Sequence, residues 1–420
     1  MSEWLAKSLN DLALFQKGRK VEMSEHHRDG FVPYLGASAI SGTIEEYADA
    51  RFGITAVAGD VLMLWDGERS GLVGRAQNGV ISSTVARLSS KGEIEGDFLY
   101  YALDEKFDWI QNRRTGTGVP HVPKDLGRIL SIFFPKNKIE QRRIAEVLST
   151  LDEAIEQTKA LIAKYQQIKA GLMHDLFTRG VTPNGHIRPT RVQAPHLYKD
   201  SPLGWIPKEW ECLTIEDLLA KTFSPMRSGP FGSALLKDEL VEDGIPFLGI
   251  DNILVERFVP VYRRFLSRHK FVELIRYAVF PGDVVITIMG TVGRCCVVPD
   301  HVTEALSSKH LWTMTFDVSR VLPELVCWQL NHARWVKDWF ARYSQGAVMD
   351  AIQSSTLRSL RLPVPKIDEQ KLILDRYWRC TRRIEMEETH AAKLLQEKHG
   401  LMHDLLTGRV RVKVAETASI

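Results

Sequence analysis

No apolar run in this 420-residue chain is long enough to cross a membrane. The nearest approach, YAVFPGDVVITIMG, is interrupted by Pro281, Gly282 and Asp283. The N-terminus, MSEWLAKSLNDLALF, carries acidic residues and a tryptophan where a secretory leader needs an apolar core. Cysteine is scarce. Its five copies form no C-x-x-C pair, which argues against a disulfide framework or a zinc site and for reduced thiols in a cytoplasmic protein. Excess charge is scarce too: the net value is +3, so any surface for nucleic acid must be a local one.

Catalytic signatures are also missing. There is no G-x-x-x-x-G-K-[ST] phosphate loop, no G-x-G-x-x-G after a strand and no H-E-x-x-H. The N-P-P-[FY] signature of amino-methyltransferases does not occur either. Pro299–Asp300 with Glu304 resembles a fragment of a metal-dependent nuclease, but Ala-Leu follows it and the other half has no counterpart, so it reads as a turn. The expectation is a non-catalytic chain that binds no metal and no cofactor of its own.

What is present is repetition. GLMHDLF (Gly171–Phe177) returns as GLMHDLL (Gly400–Leu406). The His174–Asp175 and His403–Asp404 pairs are not a catalytic site, because neighbours one apart on a helix point in different directions. The repeat extends without a gap over Glu140–Leu176 and Glu369–Leu405, free of proline and entered after Pro135 and Pro365. Apolar residues recur by fours and threes: Ile144, Leu148, Leu151, Ile155, Ile162, Tyr165, Leu172 and Leu176. In the second copy they are Ile373, Tyr377, Cys380, Ile384, Ala391, Leu394, Leu401 and Leu405. This is the stripe of a long helix paired with another, with Thr158 and Glu387 as a polar layer. About 37 residues at 1.5 Å rise give a rod of roughly 55 Å. Two such rods are expected to dock antiparallel, with Leu172 and Leu176 as anchors and His–Asp facing out.

The segments before the rods repeat as well. Trp4–Arg19 lines up with Trp210–Arg227, and AGDVLMLWDG around Gly59–Asp60 with PGDVVITIMG around Gly282–Asp283. GLVGR (Gly71–Arg75) lines up with GTVGR (Gly290–Arg294), ISST at Ile81 with LSSK at Leu306, and FLYYAL (Phe98–Leu103) with LVCWQL (Leu325–Leu330). A GD turn leading into β-branched residues reads as entry to a buried strand. The fold class is therefore α+β, a pseudo-two-fold tandem duplication. Residues 1–134 form one globule, 135–178 a rod, 179–206 a connector, 207–363 the second globule, 364–407 the second rod and 408–420 a tail. Two-fold arrangements suit split DNA targets, with rods of this length as rulers for the gap.

With the order of these motifs in view, the chain resembles the specificity subunit of a type I restriction–modification enzyme. The resemblance spans nearly the whole chain. It rests on Lys138–Gln141 and Ile367–Gln370 at the rod starts, the patterned rods, the GLMHDL ends, YKDSPLGWIPKEW (Tyr198–Trp210) and RSGPFGSALL (Arg227–Leu236). It implies two target-recognition domains, each reading half of a split double-stranded DNA sequence. It implies that the rods dock two methyltransferase subunits, that these carry S-adenosylmethionine, and that restriction subunits can join. The first globule lacks an SGPFGS-like loop; HHRDGFVPYLGASAISG (His26–Gly42) occupies the corresponding place.

Candidate DNA contacts follow from residue type. In the second globule they are Lys221, Arg227, Ser228, Gly229, Phe231, Gly232 and Ser233, where glycine admits phosphates and arginine reads guanine. A second basic run holds Arg257, Arg263, Arg264, Arg268, His269, Lys270 and Arg276; a solvated charged face explains it equally well. In the first globule they are Lys17, Arg19, Lys20, His26, His27 and Arg28, with Arg113 and Arg114 before TGTGVPH (Thr115–His121). Arg342 precedes the matching loop Ser344–Val348. Arg75 and Arg294 are read as ion-pair partners. Rival readings are a self-contained nuclease or methyltransferase with two DNA-binding lobes, and a coiled-coil scaffold that binds proteins only.

Overall fold

The computed structural model describes residues 3–116, 118–344 and 352–413. It divides into two compact units, residues 1–162 with 386–420, and residues 163–385. Each unit holds one globule and parts of both long helices, Lys138–Thr178 and Ile367–Leu406. No described helix is long and apolar enough to cross a membrane.

The two globules share one topology. In the first, Trp4–Ser8 pairs antiparallel with Ser131–Pro135, closing the lobe just before its helix begins. A four-stranded sheet runs in the order Ala13–Lys17, Val85–Ser90, Val61–Leu64, Val73–Arg75. A five-stranded sheet runs Met23–Ser24, Tyr47–Asp49, Phe31–Leu35, Gly79–Ile81, Thr55–Ala56. The second globule repeats all three. Glu211–Thr214 pairs with Arg361–Val364. The four-stranded order is Met226–Ser228, Leu311–Met314, Val284–Thr287, Cys295–Val297. The five-stranded order is Leu240–Val241, Phe265–Leu266, Ile245–Leu248, Ala305–Ser307, Ala278–Val279. Each five-stranded sheet has one parallel pairing, Leu35 opposite Ile81 and Leu248 opposite Ser307. The GD turns are alike: Asp60 and Asp283 accept the amides of Val57 and Phe280 at 3.0 and 2.8 Å.

Backbone register corrects two of the sequence alignments. The amides of Ser82 and Ser308 donate to Leu35 and Leu248, so ISST and LSSK correspond with a slip of one residue. The amides of Ala76 and Val298 donate to Asp60 and Asp283, and those of Gly71 and Gly293 to Leu64 and Thr287. Arg75 thus matches Val297, and Arg294 matches Leu72; the two arginines are not equivalent.

Within each unit the helical stretches run antiparallel. In the first, Lys398 reaches Asp152 at 2.7 Å, and Arg411 reaches Glu140 at 2.7 Å. Ile144, Leu148, Met402 and Leu405 share one core with the globule. In the second, Arg383 lies over Tyr165 and Lys169 over Tyr377, while Leu176, Phe177, Ile373 and Tyr377 join the core. Of the expected stripe, Ile144, Leu148, Ile155, Ile373, Tyr377, Ile384 and Leu394 are buried; Leu151, Ile162, Tyr165, Leu172 and Leu401 are half-buried. Thr158 is buried and returns its hydroxyl to the Ala154 carbonyl. His174 and His403 are exposed, and Asp175 pairs with Arg179.

The start of each helix is fixed by its glutamine. Gln141 donates to the Pro135 and Glu93 carbonyls at 2.8 and 3.2 Å and accepts the Glu95 amide at 2.7 Å. Gln370 repeats this with Pro365, Arg320 and Leu322 at 2.7, 2.9 and 2.8 Å. Both satisfy backbone groups that burial would otherwise leave unpaired. The neighbouring glutamates bind arginines that follow the other helix: Glu140 pairs with Arg411, and Glu369 with Arg188 at 2.9 Å. Gly180 (φ 63°) and Gly408 (φ 70°) end the helices in the left-handed region, where a Cβ would press on Trp210 and Trp4 respectively.

Candidate nucleic-acid interface

In the first lobe, strand Ala13–Lys17 ends at Gly18, whose missing side chain lets the backbone touch the Ile81 and Ser82 carbonyls. Lys17 turns to Asp66 at 2.8 Å, and His121 reaches the same carboxylate at 2.7 Å. The segment Thr115–His121, whose Thr117 lies outside the described residues, is fastened there by backbone bonds between Thr115 and His121 and from Gly67 to Pro120. Arg19 and Lys20 follow directly and are exposed. Arg113 stacks 3.8 Å over Trp109, and Arg114 folds back on the Gln111 and Glu68 carbonyls. The structure therefore gathers Lys17, Arg19, Lys20 and His121 at one strand end. His26, His27 and Arg28 are exposed on a different loop, with His27 against Tyr47 and Arg28 over Phe31.

In the second lobe the expected guanine reader is a core residue. Arg227 has 7% of its side chain exposed and pairs with Asp283, exposed by 1%. Its Nε donates to the Ala278 carbonyl at 2.6 Å and Nη1 to the Thr315 hydroxyl at 2.9 Å. Burial pushes the Asp283 carboxyl up and the Arg227 guanidinium down, and each partner's charge opposes that shift. Ser228 is buried as well. Gly229 is required by contact with Ser307 and Ser308, the same approach that Gly18 makes. Gly229 is thus the counterpart of Gly18, whereas Phe31–Leu35 in the His26–Gly42 segment matches Ile245–Leu248; the expected correspondence is corrected.

Three of the seven members of the basic run are held in ion pairs. Lys270 bridges Glu239 and Glu273, Arg268 holds Glu304, and Arg264 meets Asp251 at 2.6 Å. Arg263 and Lys221 are exposed, as is Arg342 on helix Arg334–Ser344; of Ser344–Val348, residues 345–348 lie outside the described residues. What remains of the glycine loop is open: Phe231 is 60% exposed and Gly232 and Ser233 are exposed. This loop walls a cavity of about 270 Å³ whose other side carries Arg264, Lys309 and His310. Burial, with the charges of Lys309 and Arg264, lowers the His310 pKa from its ordinary value. Lys309 and His310 escaped the sequence reading. Their signal was the second serine motif, but its one-residue slip hid that they stand beside Gly229.

This cavity is an anion-seeking surface, with cations around a loop whose exposed aromatic can stack or wedge. Among the described residues no group of three or more His, Cys, Asp or Glu is placed to hold a metal.

A family model described as "Type I restriction modification DNA specificity domain" matches residues 1–167. Over 419 residues the chain is 25% identical to the type I restriction enzyme MjaVIII specificity subunit of Methanocaldococcus jannaschii, covering 98% of this chain and 94% of that one. It is 21% identical to the type I restriction enzyme EcoBI specificity subunit of Escherichia coli, over 89% of this chain and 78% of that protein. In fold it is similar to the crystal structure of a type I restriction–modification S subunit from M. genitalium. There the TM-score is 0.57 at 16% identity, covering 99% and 97% of the two chains.

Proposed function

We propose that the chain is a specificity subunit of a type I restriction–modification enzyme, like the relatives it is similar to, and that its two lobes each read one half of a split duplex target. The observation that carries this reading is the duplication itself. Two lobes of one topology each bring basic side chains near the end of the same strand, Lys17, Arg19 and Lys20 in one and Lys309, beside His310 and the Gly232 loop, in the other. In this reading Arg19, Lys20, Arg263 and Lys309 neutralise phosphates, while Phe231, Ser233, His121 and Arg342 face bases or sugars. The long helices dock two methyltransferase subunits, which bring S-adenosylmethionine; this chain contributes sequence choice rather than chemistry. A restriction subunit joins through that same assembly.

Selection of bound duplexes from a random library by the purified chain with its methyltransferase subunit tests this. The expected product is two fixed tracts around an unspecified gap. A single uninterrupted tract would contradict it. Modification by the chain alone, supplied with magnesium and S-adenosylmethionine, would favour a self-contained enzyme.

A further inference from the structure

In the first lobe Arg75 fills the junction between its sheet, helix Gly96–Asp104 and the long helix. Its Nε lies 2.8 Å from Asp97 and Nη2 lies 2.8 Å from the Tyr101 hydroxyl. The guanidinium stacks 4.3 Å from the Tyr100 ring centre, with Asp152 3.9 Å away. The second lobe repeats the junction without the arginine. Strand register puts Val297 opposite Val284 as Arg75 stands opposite Val61. The helical partners keep their places: Glu324 for Asp97, Trp328 for Tyr101 and Thr381 for Asp152.

Shortening arginine to valine leaves a cavity of about 350 Å³, lined by Val297, Asp300, Glu324, Trp328, Tyr377 and Trp378 among others. Among the described residues no lysine, arginine or histidine forms an ion pair with Asp300 or Glu324. The buried indole Nε1 of Trp328 has no hydrogen-bond partner. Lys169, the counterpart of Lys398, lies over the Tyr377 ring, whereas Lys398 binds Asp152. Glu256 also lines the cavity, from a left-handed backbone (φ 56°), but its carboxylate already accepts the Tyr377 hydroxyl and lies 3.3 Å from His332, which leaves Asp300 and Glu324 as the carboxylates without an ion-pair partner. Carboxylates and aromatic faces around an unfilled arginine position match one chemistry, a planar guanidinium that stacks and donates paired hydrogen bonds.

We propose that this cavity receives an arginine side chain of the docked methyltransferase subunit, seated where Arg75 lies in the first lobe. The proposal rests on the reading of this chain as a docking subunit, and two measurements keep the two ideas apart. The first titrates the full chain with N-acetyl-arginine amide, followed by the fluorescence of Trp378 (37% exposed) and Trp328. A saturable change is expected, at least tenfold weaker in Glu324→Gln and in the exposed Asp300→Asn, and absent in Val297→Arg, which fills the position from within. Equal response from wild type and Val297→Arg overturns the proposal, whatever the chain docks. The second measures affinity for the methyltransferase subunit. Val297→Arg is expected to lose at least tenfold while its DNA binding and melting temperature stay at or above wild type. Unchanged docking by that variant also overturns the proposal and leaves the docking reading intact, whereas a wild-type chain that binds no methyltransferase subunit overturns the docking reading.

Discussion

Arg227 shows why residue type alone misassigns a site. Arginine beside glycine and serine reads as a flexible, exposed recognition loop, yet Met226, Arg227 and Ser228 are a strand buried along its whole length. Strict alternation would have given warning through an exposed neighbour; a strand covered on both faces gives none. Arg227→Ala is therefore expected to act on stability: it strands Asp283 in the core and costs about 3–5 kcal/mol, read as a lower denaturation midpoint. Loss of one half-site without loss of stability would restore it as a base reader. His310 makes the opposite case. Its pKa lies below the ordinary value, so near neutrality the imidazole is uncharged in the free protein. A bound phosphate raises that pKa, so binding takes up a proton and affinity rises as pH falls from the bound-state pKa towards the lowered free-state one. His310→Ala should flatten this dependence; an unchanged pH profile would remove His310 from the interface. Arg19→Ala with Lys20→Ala should lower the slope of log affinity against log salt by about one per charge removed.

The long helices were the most legible elements, because heptad spacing, absent proline and bounding glycines all point one way over some forty residues. Short strands were not. Two alignments slipped, by one residue and by three, because turns of different length join equivalent strands, and a single-residue slip exchanges the faces of a strand. The role of the E-Q pair at each helix start was also out of reach, since all its partners but Pro135 and Pro365 lie far along the chain. Gln370→Ala is expected to cost about 1–3 kcal/mol by leaving backbone groups of Pro365, Arg320 and Leu322 unpaired. The exposed Gln167→Ala is the control; equal midpoints for the two would contradict the assignment. Glu369→Ala should cost more, about 3–5 kcal/mol, because buried Arg188 loses its close carboxylate and keeps only the half-exposed Glu209 at 3.4 Å.

The duplication of the chain was visible from its repeats, but the asymmetry between the copies was not. The first lobe keeps Arg75 where the second has Val297, and the second gains Lys309 and His310 beside its glycine loop. In the proposed reading, the difference at the glycine loop lets the two lobes read unlike tracts, and the difference at Arg75 and Val297 bears on docking instead. Equal insertions of helical turns into both long helices should change the number of unspecified bases and leave each tract as it was; altered tracts with a fixed gap would contradict the ruler. The most direct measurement selects duplex targets with wild type, with Lys309→Ala/His310→Ala and with Arg19→Ala/Lys20→Ala. The expected result is a split target in which the first variant relaxes one tract only and the second weakens binding through the other. Loss of both tracts together in either variant, or a target without a gap, would contradict the assignment of one half-site to each lobe.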